Sequence, residues 1–239
     1  MESFSRSDKI SVVFCCPTLS SGPHKAFIES MEASVPLLDE KGIEHHMVIE
    51  VQNPYISHAR ATMLRKALSK DPNTIVFLDH DISWKPQDLV DLIETEGDVV
   101  AGTYRFKKDK EQYMGTLFPA DDNKPVVRED GCVKAEWIPA GFLKITESAL
   151  SKFMDGYPEL VYGPKYRPGV DLFNHGAYKG MWYGEDYAFS RNWNSLGEEI
   201  WIVPDLDIAH HSEDKVYKGN FHEFLLRQPG GSRHEEHNS

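Results

Sequence analysis

Apolar and polar positions fall into blocks whose period changes along the first hundred residues. Ile10 to Cys16 is a near-continuous apolar run closed by Pro17-Thr18, the pattern of a strand buried on both faces. Ser20-Ser21-Gly22-Pro23 carries turn chemistry, and Pro23 is suited to opening a helix. From His24 to Lys41, Phe27, Met31, Val35 and Leu38 recur at helical spacing until Gly42 stops the run. Glu44 to Val51 reads as a second strand ending at Asn53-Pro54. Ser57 to Leu68 predicts a second helix with Ala61, Leu64 and Leu68 on one face. Thr74 to Leu78 is a third strand, Pro86 opens a third helix, and Asp98 to Tyr104 predicts another strand. This alternation predicts an α/β fold: a mixed, mostly parallel sheet flanked by helices on both faces. Ligands of such sheets bind beyond the C-terminal strand ends.

The second half changes character. Residues 105–135 mix charges, glycine and short β-like pieces, and predict a small antiparallel excursion at the sheet edge. Trp137 to Ile145 reads as an apolar strand interrupted by the small-residue turn Pro139-Ala140-Gly141, with Thr146 capping the next helix. Residues 155–181 are rich in Gly, Pro, Tyr and Asn without period, and predict a long mobile loop. Gly184-Glu185-Asp186 opens a helix over Tyr187 to Leu196, closed by Gly197. Ile200 to Val203 and Ile208 to His211 are the last strands. Residues 1–229 are expected to form a single domain, and 230–239 a polar, disordered tail.

Chemistry concentrates where the third strand ends, at Asp79-His80-Asp81. Strand side chains alternate faces, so two acids at i, i+2 project the same way. Paired carboxylates repel unless a positive charge stands between them. A divalent metal carrying a diphosphate is a common solution, since hard cations prefer oxygen ligands and Mg²⁺ is usually shared with substrate phosphates. The bland reading is a strand end with two solvated acids.

Composition narrows the partners. A net charge of −12 over 239 residues argues against nucleic-acid binding and, more weakly, against anionic membrane surfaces. No apolar run reaches the roughly 18 residues of a membrane-spanning helix. The polar start of the chain lacks an apolar signal core, and Cys15, Cys16 and Cys132 have no metal-ligand spacing. Together these predict a cytoplasmic protein with buried thiols.

Taken in order, the motifs resemble those of GT-A-type nucleotide-diphospho-sugar glycosyltransferases, in particular small stand-alone members of viruses, phages and bacteria. The resemblance covers most of the chain. It rests on Cys16-Pro17-Thr18 after the first strand, Ala59-Arg60 on the second helix and Asp79-His80-Asp81. It continues through Pro139-Ala140-Gly141 and Gly184-Glu185-Asp186 to His210-His211 after the last strand. It implies a metal-dependent transfer of a sugar from a nucleoside-diphosphate sugar, UDP by default, to a hydroxyl acceptor such as a glycan. The donor would meet Pro17, Thr18, Arg60, Asp79, Ala140 and Gly141. Mn²⁺ or Mg²⁺ would be held by Asp81 and a histidine with Asp79 close by. His211 is favoured over His210 because its spacing to Gly219-Asn220-Phe221 matches the family better. Asp186 would be the catalytic base, with Glu185 orienting the acceptor or the base.

Each candidate also has a plainer reading. Arg60 could be a solvated surface arginine, and an acidic pair in a first helical turn is what capping preferences alone produce. His80 should point to the opposite face and pack or cap there. His24 and His58 read as surface or capping residues. Trp137, Trp193 and Trp201 read as core, whereas Trp182 adjoins the long loop and could stack on a sugar. Two other functions compete. A haloacid-dehalogenase-type phosphatase also uses an apolar strand ending in Asp-X-Asp with Mg²⁺, but there the pair follows the first strand. A non-catalytic nucleotide-sugar-binding protein on the same fold is the third reading.

Overall fold

The computed structural model describes residues 9–119 and 124–228; the tail expected at 230–239 lies outside the described residues. The chain runs β1 (Ser11–Thr18), α1 (Lys25–Glu40), β2 (Glu44–Val51), α2 (Ile56–Leu68), β3 (Thr74–Leu78), β4 (Ile82–Ser83), α3 (Pro86–Glu94) and β5 (Val99–Gly102). It continues through β6 (Thr116–Leu117), β7 (Val133–Trp137), β8 (Phe142–Thr146), α4 (Glu147–Gly156), β9 (Val161–Tyr162), β10 (Gly169–Val170), β11 (Gly176–Tyr178) and β12 (Met181–Tyr183). It ends with α5 (Glu185–Ser195), β13 (Ile200–Val203), β14 (Ala209–His211), β15 (Val216–Tyr217) and α6 (Phe221–Leu226).

Local signals act where expected. The His24 ring caps α1 by accepting from the Ala26 amide (3.1 Å), and the Thr146 hydroxyl caps α4 by accepting from Ala149 (3.1 Å). Pro86 occupies the first turn of α3, where its missing N–H costs nothing.

The main sheet has eight strands in the order β2-β1-β3-β8-β5-β13-β7-β6. Strands β2, β1, β3, β5, β13 and β6 run one way, while β8 and β7 run the other. Fully buried strands put alternate residues into two layers. Val13, Cys15, Ile75, Phe77, Leu143 and Ile145 meet α2, α4 and α5 on one face. Val12, Phe14, Cys16, Val76, Leu78 and Phe142 meet α1 and α3 on the other. At about 1.5–3 kcal/mol per buried large apolar side chain, both layers are needed to hold β1 and β3 in place. Cys15, Cys16 and Cys132 are buried free thiols. Among the described residues no helix is long and apolar enough to cross a membrane.

Two expectations change. Trp137 to Ile145 is not one interrupted strand. Its halves, β7 and β8, are separated in the sheet by β5 and β13, and the Pro139-Ala140-Gly141 turn carries the chain between them. Proline cannot donate to a ladder, so the apolar run has to break there. Nor is 155–181 a loop without structure. It contains the β9–β10 hairpin and the start of the β11–β12 hairpin, and Val170, Leu172 and Phe173 are buried in the α2 layer. Only β11–β12 stands out, closed by Lys179 and Gly180, both at positive φ as a tight two-residue hairpin requires.

Candidate active site

A cleft of about 320 Å³ opens at the C-terminal ends of β1 and β3. Pro17 and Thr18 enter it from β1, Arg60 from α2, Asp79 and Asp81 from the turn after β3, Glu185 from the start of α5, and His210 from β14. Residues far apart in the chain therefore converge because parallel strands end side by side there.

Arg60 is the buried centre of the site, with about 3% of its surface exposed. One guanidinium nitrogen donates to Asp79 Oδ1 (2.9 Å) and the other to the Ala140 carbonyl (3.1 Å). Its carbon lies 5.7 Å from the Phe77 ring and 5.3 Å from the Phe173 ring. Burial opposes its charge, but Asp79 and Glu185 outweigh burial and raise its pKa. Arg60 is thus no solvated surface residue.

Asp79 Oδ2 accepts from the Tyr104 hydroxyl at 2.8 Å, so each of its oxygens is engaged. Its amide donates to the Gly141 carbonyl (2.8 Å). A Cβ on Gly141 would overlap the Tyr104 hydroxyl and the Asp79 carboxylate. The glycine therefore makes room for that pair. Ala140 is buried with its carbonyl turned to Arg60.

Asp81 lines the same cleft with different partners. Its Oδ2 accepts from the Lys107 ammonium and lies 3.5 Å from His210 Nε2. Burial would raise its pKa, but hydrogen bonds from His210 and Lys107 win and hold it well below the usual carboxylate range. The two acids coexist because each has its own cation, Arg60 for Asp79 and Lys107 for Asp81.

The structure sends the two histidines of β14 to opposite faces, and His210 is the one beside Asp81. His210 Nδ1 donates to the Arg105 carbonyl (2.8 Å). His211 turns away: its Nε2 is 2.7 Å from Ser83 Oγ, and its ring stacks on His24 at 4.7 Å. Burial, then neighbouring His24, lowers its pKa. Register alone does not explain this, since β14 pairs with β4 so that His210 sits opposite Ile82 and the His211 amide donates to the Asp81 carbonyl (2.7 Å). Asp81 lies in the turn before β4, outside strand alternation, and its carboxylate meets His210 instead.

Glu185 Oε1 stands 4.0 Å from Arg60. Asp186, one residue on, accepts from the Tyr187 amide (2.8 Å) at the cleft's flank. Burial, then the Glu185 charge, pushes its pKa up to about 6. The Thr18 hydroxyl is 2.8 Å from Ser20 Oγ, and the pair shapes the loop after β1. His80 borders the cleft, and its carbonyl accepts from the His24 amide (2.9 Å). Trp182 does not reach the cleft: it is 73% exposed on the β11–β12 hairpin, 6.0 Å from the His175 ring. Sequence reasoning missed Tyr104, Lys107 and Phe173. The Lys107-Lys108 doublet just after an apolar strand was a usable signal for a cation near the acids; Phe173 lay in a segment read as loop.

Among the described residues no group of three or more His, Cys, Asp or Glu is arranged to hold a metal by itself. Asp81 and His210 offer two ligands 3.5 Å apart, a spacing that one cation touching both could bridge. That donor set fits a cation whose remaining ligands come from a phosphorylated substrate.

No protein-family model matches the chain, and no curated protein matched it in sequence. Solved structures do resemble it. GalNAc-T7, solved with UDP, GalNAc and Mn²⁺, gives a TM-score of 0.50 at 10% identity, over 85% of this chain and 44% of that one. A Drosophila β1,4-galactosyltransferase 7 mutant in complex with manganese, UDP-Gal and xylobiose gives 0.44 at 9% identity, over 89% and 73%. The inositol-1-phosphate CTP transferase of T. maritima gives 0.39 at 11% identity, over 82% and 85%. The chain spans less than half the length of the first of these. At such identity the likeness is one of fold, and the fold is that of the GT-A glycosyltransferases.

Proposed function

We propose that the protein is a metal-dependent glycosyltransferase that moves a sugar from a nucleoside-diphosphate sugar, UDP-linked by default, to a hydroxyl acceptor such as a glycan. One observation carries this reading: Asp79, Asp81, His210, Arg60 and Glu185, from four separate elements, face one cleft at the strand ends of a GT-A fold. Residues 1–229 act as one catalytic domain in this reading.

Asp81 and His210 hold Mn²⁺ or Mg²⁺ together with the diphosphate. When bound, the metal acts as a Lewis acid that offsets charge on the leaving group. The Nδ1 proton of His210 is committed to the Arg105 carbonyl, which leaves Nε2 as the ligating atom. Pro17 and Thr18 form the wall against the nucleoside. Asp79, fixed by Arg60 and Tyr104, accepts from the ribose or donor sugar with little reorganisation on binding. Asp186 takes the proton of the acceptor hydroxyl, and its pKa of about 6 suits a base that works near neutrality. Glu185, 4.0 Å from Arg60 and adjacent to Asp186 in the chain, orients the acceptor.

The test is turnover. Nucleoside diphosphate release is measured from a panel of UDP- and GDP-sugars, with Mn²⁺, with Mg²⁺ and with chelator. Metal-dependent release from one donor is expected. Release of inorganic phosphate from phosphate monoesters, with no turnover of any nucleotide-sugar, would overturn the reading.

A further inference from the structure

We propose that Lys107 occupies the cation position of the Asp81–His210 pair in the nucleotide-free protein, and that a divalent metal displaces it onto the diphosphate. This inference deepens the reading above and rests on it. A carbonyl oxygen only accepts, so the 2.8 Å contact of His210 Nδ1 with the Arg105 carbonyl places the proton on Nδ1. The other ring nitrogen, Nε2, lies 3.5 Å from Asp81 Oδ2, and to ligate a metal it must offer its lone pair there. In the nucleotide-free protein the positive charge beside that oxygen is the Lys107 ammonium, hydrogen-bonded to the same Oδ2.

An ammonium and a divalent ion drawn to Asp81 Oδ2 on its His210 side repel each other and compete for that oxygen. Metal entry therefore releases Lys107. The backbone around it stays in place. Arg105 pairs with Tyr113 as an isolated bridge, and its guanidinium donates to the carbonyls of Lys108, Asp109 and Lys218. The Phe106 amide donates to the Gln112 carbonyl (2.9 Å). Only the four-carbon side chain moves, and it stays within reach of the cleft. The new anion arriving with the metal is the diphosphate, and a mobile point charge suits it. Lys107 is thus a competitor for the metal before the donor binds and a ligand of the leaving group afterwards.

The two roles predict effects of opposite sign in one variant. Mn²⁺ and UDP binding are measured on the full chain by electron paramagnetic resonance and calorimetry for wild type, Lys107→Met and Lys108→Met. Without nucleotide, Lys107→Met is expected to bind Mn²⁺ roughly 3–10-fold more tightly, the scale of losing a partly exposed ion pair. At saturating Mn²⁺ it is expected to bind UDP about tenfold more weakly, the scale of one charge-assisted hydrogen bond. Lys108→Met, one residue along, should match wild type in both. Unchanged or weaker Mn²⁺ binding by Lys107→Met, or unchanged UDP binding, overturns the inference while the metal site stands. Absence of Mn²⁺ binding by wild type with UDP or GDP present overturns the proposed function and this inference with it.

Discussion

Arg60 and Lys144 are equally buried, each about 3% exposed, yet they are held in opposite ways at opposite ends of the sheet. Arg60 has a carboxylate at 2.9 Å and two aromatic rings against its guanidinium. Lys144 donates to the carbonyls of Ile93 (3.4 Å) and Thr95, at the C-terminal end of α3. It has dipoles where Arg60 has a countercharge. Burial therefore wins at Lys144, with repulsion from Arg128 adding to it, and its pKa falls to about 8. A cleft of about 640 Å³ opens beside Lys144, twice the size of the one beside Arg60. The lesson is that neither burial nor cavity size marks the site. What marks it is a buried cation that fixes one acid while a second acid remains beside an imidazole.

The sharpest way to break the comparison is to remove the Arg60 charge. Arg60→Met leaves Asp79 without its counterion and should cost about 3–5 kcal/mol, as for other broken buried pairs. Denaturant unfolding measures this, and UDP binding should be lost as well. Lys144→Met, which strands only carbonyls, should cost less, on the order of 1–3 kcal/mol.

Next in size is a kinetic effect that stability should not share. Asp186→Asn is expected to lower kcat by about 10²–10⁴-fold while leaving the UDP Kd unchanged. In wild type the rate should rise as pH passes through about 6, where Asp186 loses its proton, and this limb should vanish in the variant. A product that keeps the donor's anomeric configuration would remove the base role from Asp186.

The Lys144 end makes a pH prediction of its own. Its folded pKa of about 8 lies below the ordinary 10.5, so between those values the unfolded chain holds a proton that the folded chain has shed. The stability of wild type relative to Lys144→Met should therefore rise with pH across that window, by at most about 3 kcal/mol. Arg60 should show no such window, because its countercharge keeps it ionised. The smallest effect belongs to Trp182. With 73% exposure, Trp182→Ala should change stability by less than about 0.5 kcal/mol. Any role in stacking on the acceptor would appear only as a raised KM for it.

Much of this was legible in the sequence because it is local. Ile75 to Leu78 is apolar without interruption and Asp79 ends it; Glu44–Val51 and Ile200–Val203 have the bounds their patterns predict. His24 and Thr146 cap as their positions suggest. What was not legible depends on pairing between distant segments. Nothing in the period of Phe142–Thr146 says that it inserts antiparallel between β3 and β5. The alternation of His210 and His211 was readable, but which of them meets Asp81 is decided by the turn that carries Asp81 into β4. The short hairpin of 161–170 and the six-residue α6 are below the length at which periodicity speaks. Lys107 was missed because a charged loop reads as solvated until an acid is seen beside it.

The separate partners of the two histidines make possible a direct test of the metal site. Mn²⁺-dependent UDP binding is measured by calorimetry for wild type, His210→Ala and His211→Ala. Wild type and His211→Ala should bind UDP more tightly with Mn²⁺ than with chelator, and His210→Ala should lose that gain. A gain kept by His210→Ala and lost by His211→Ala, or no metal dependence in wild type, would contradict a cation held by Asp81 and His210.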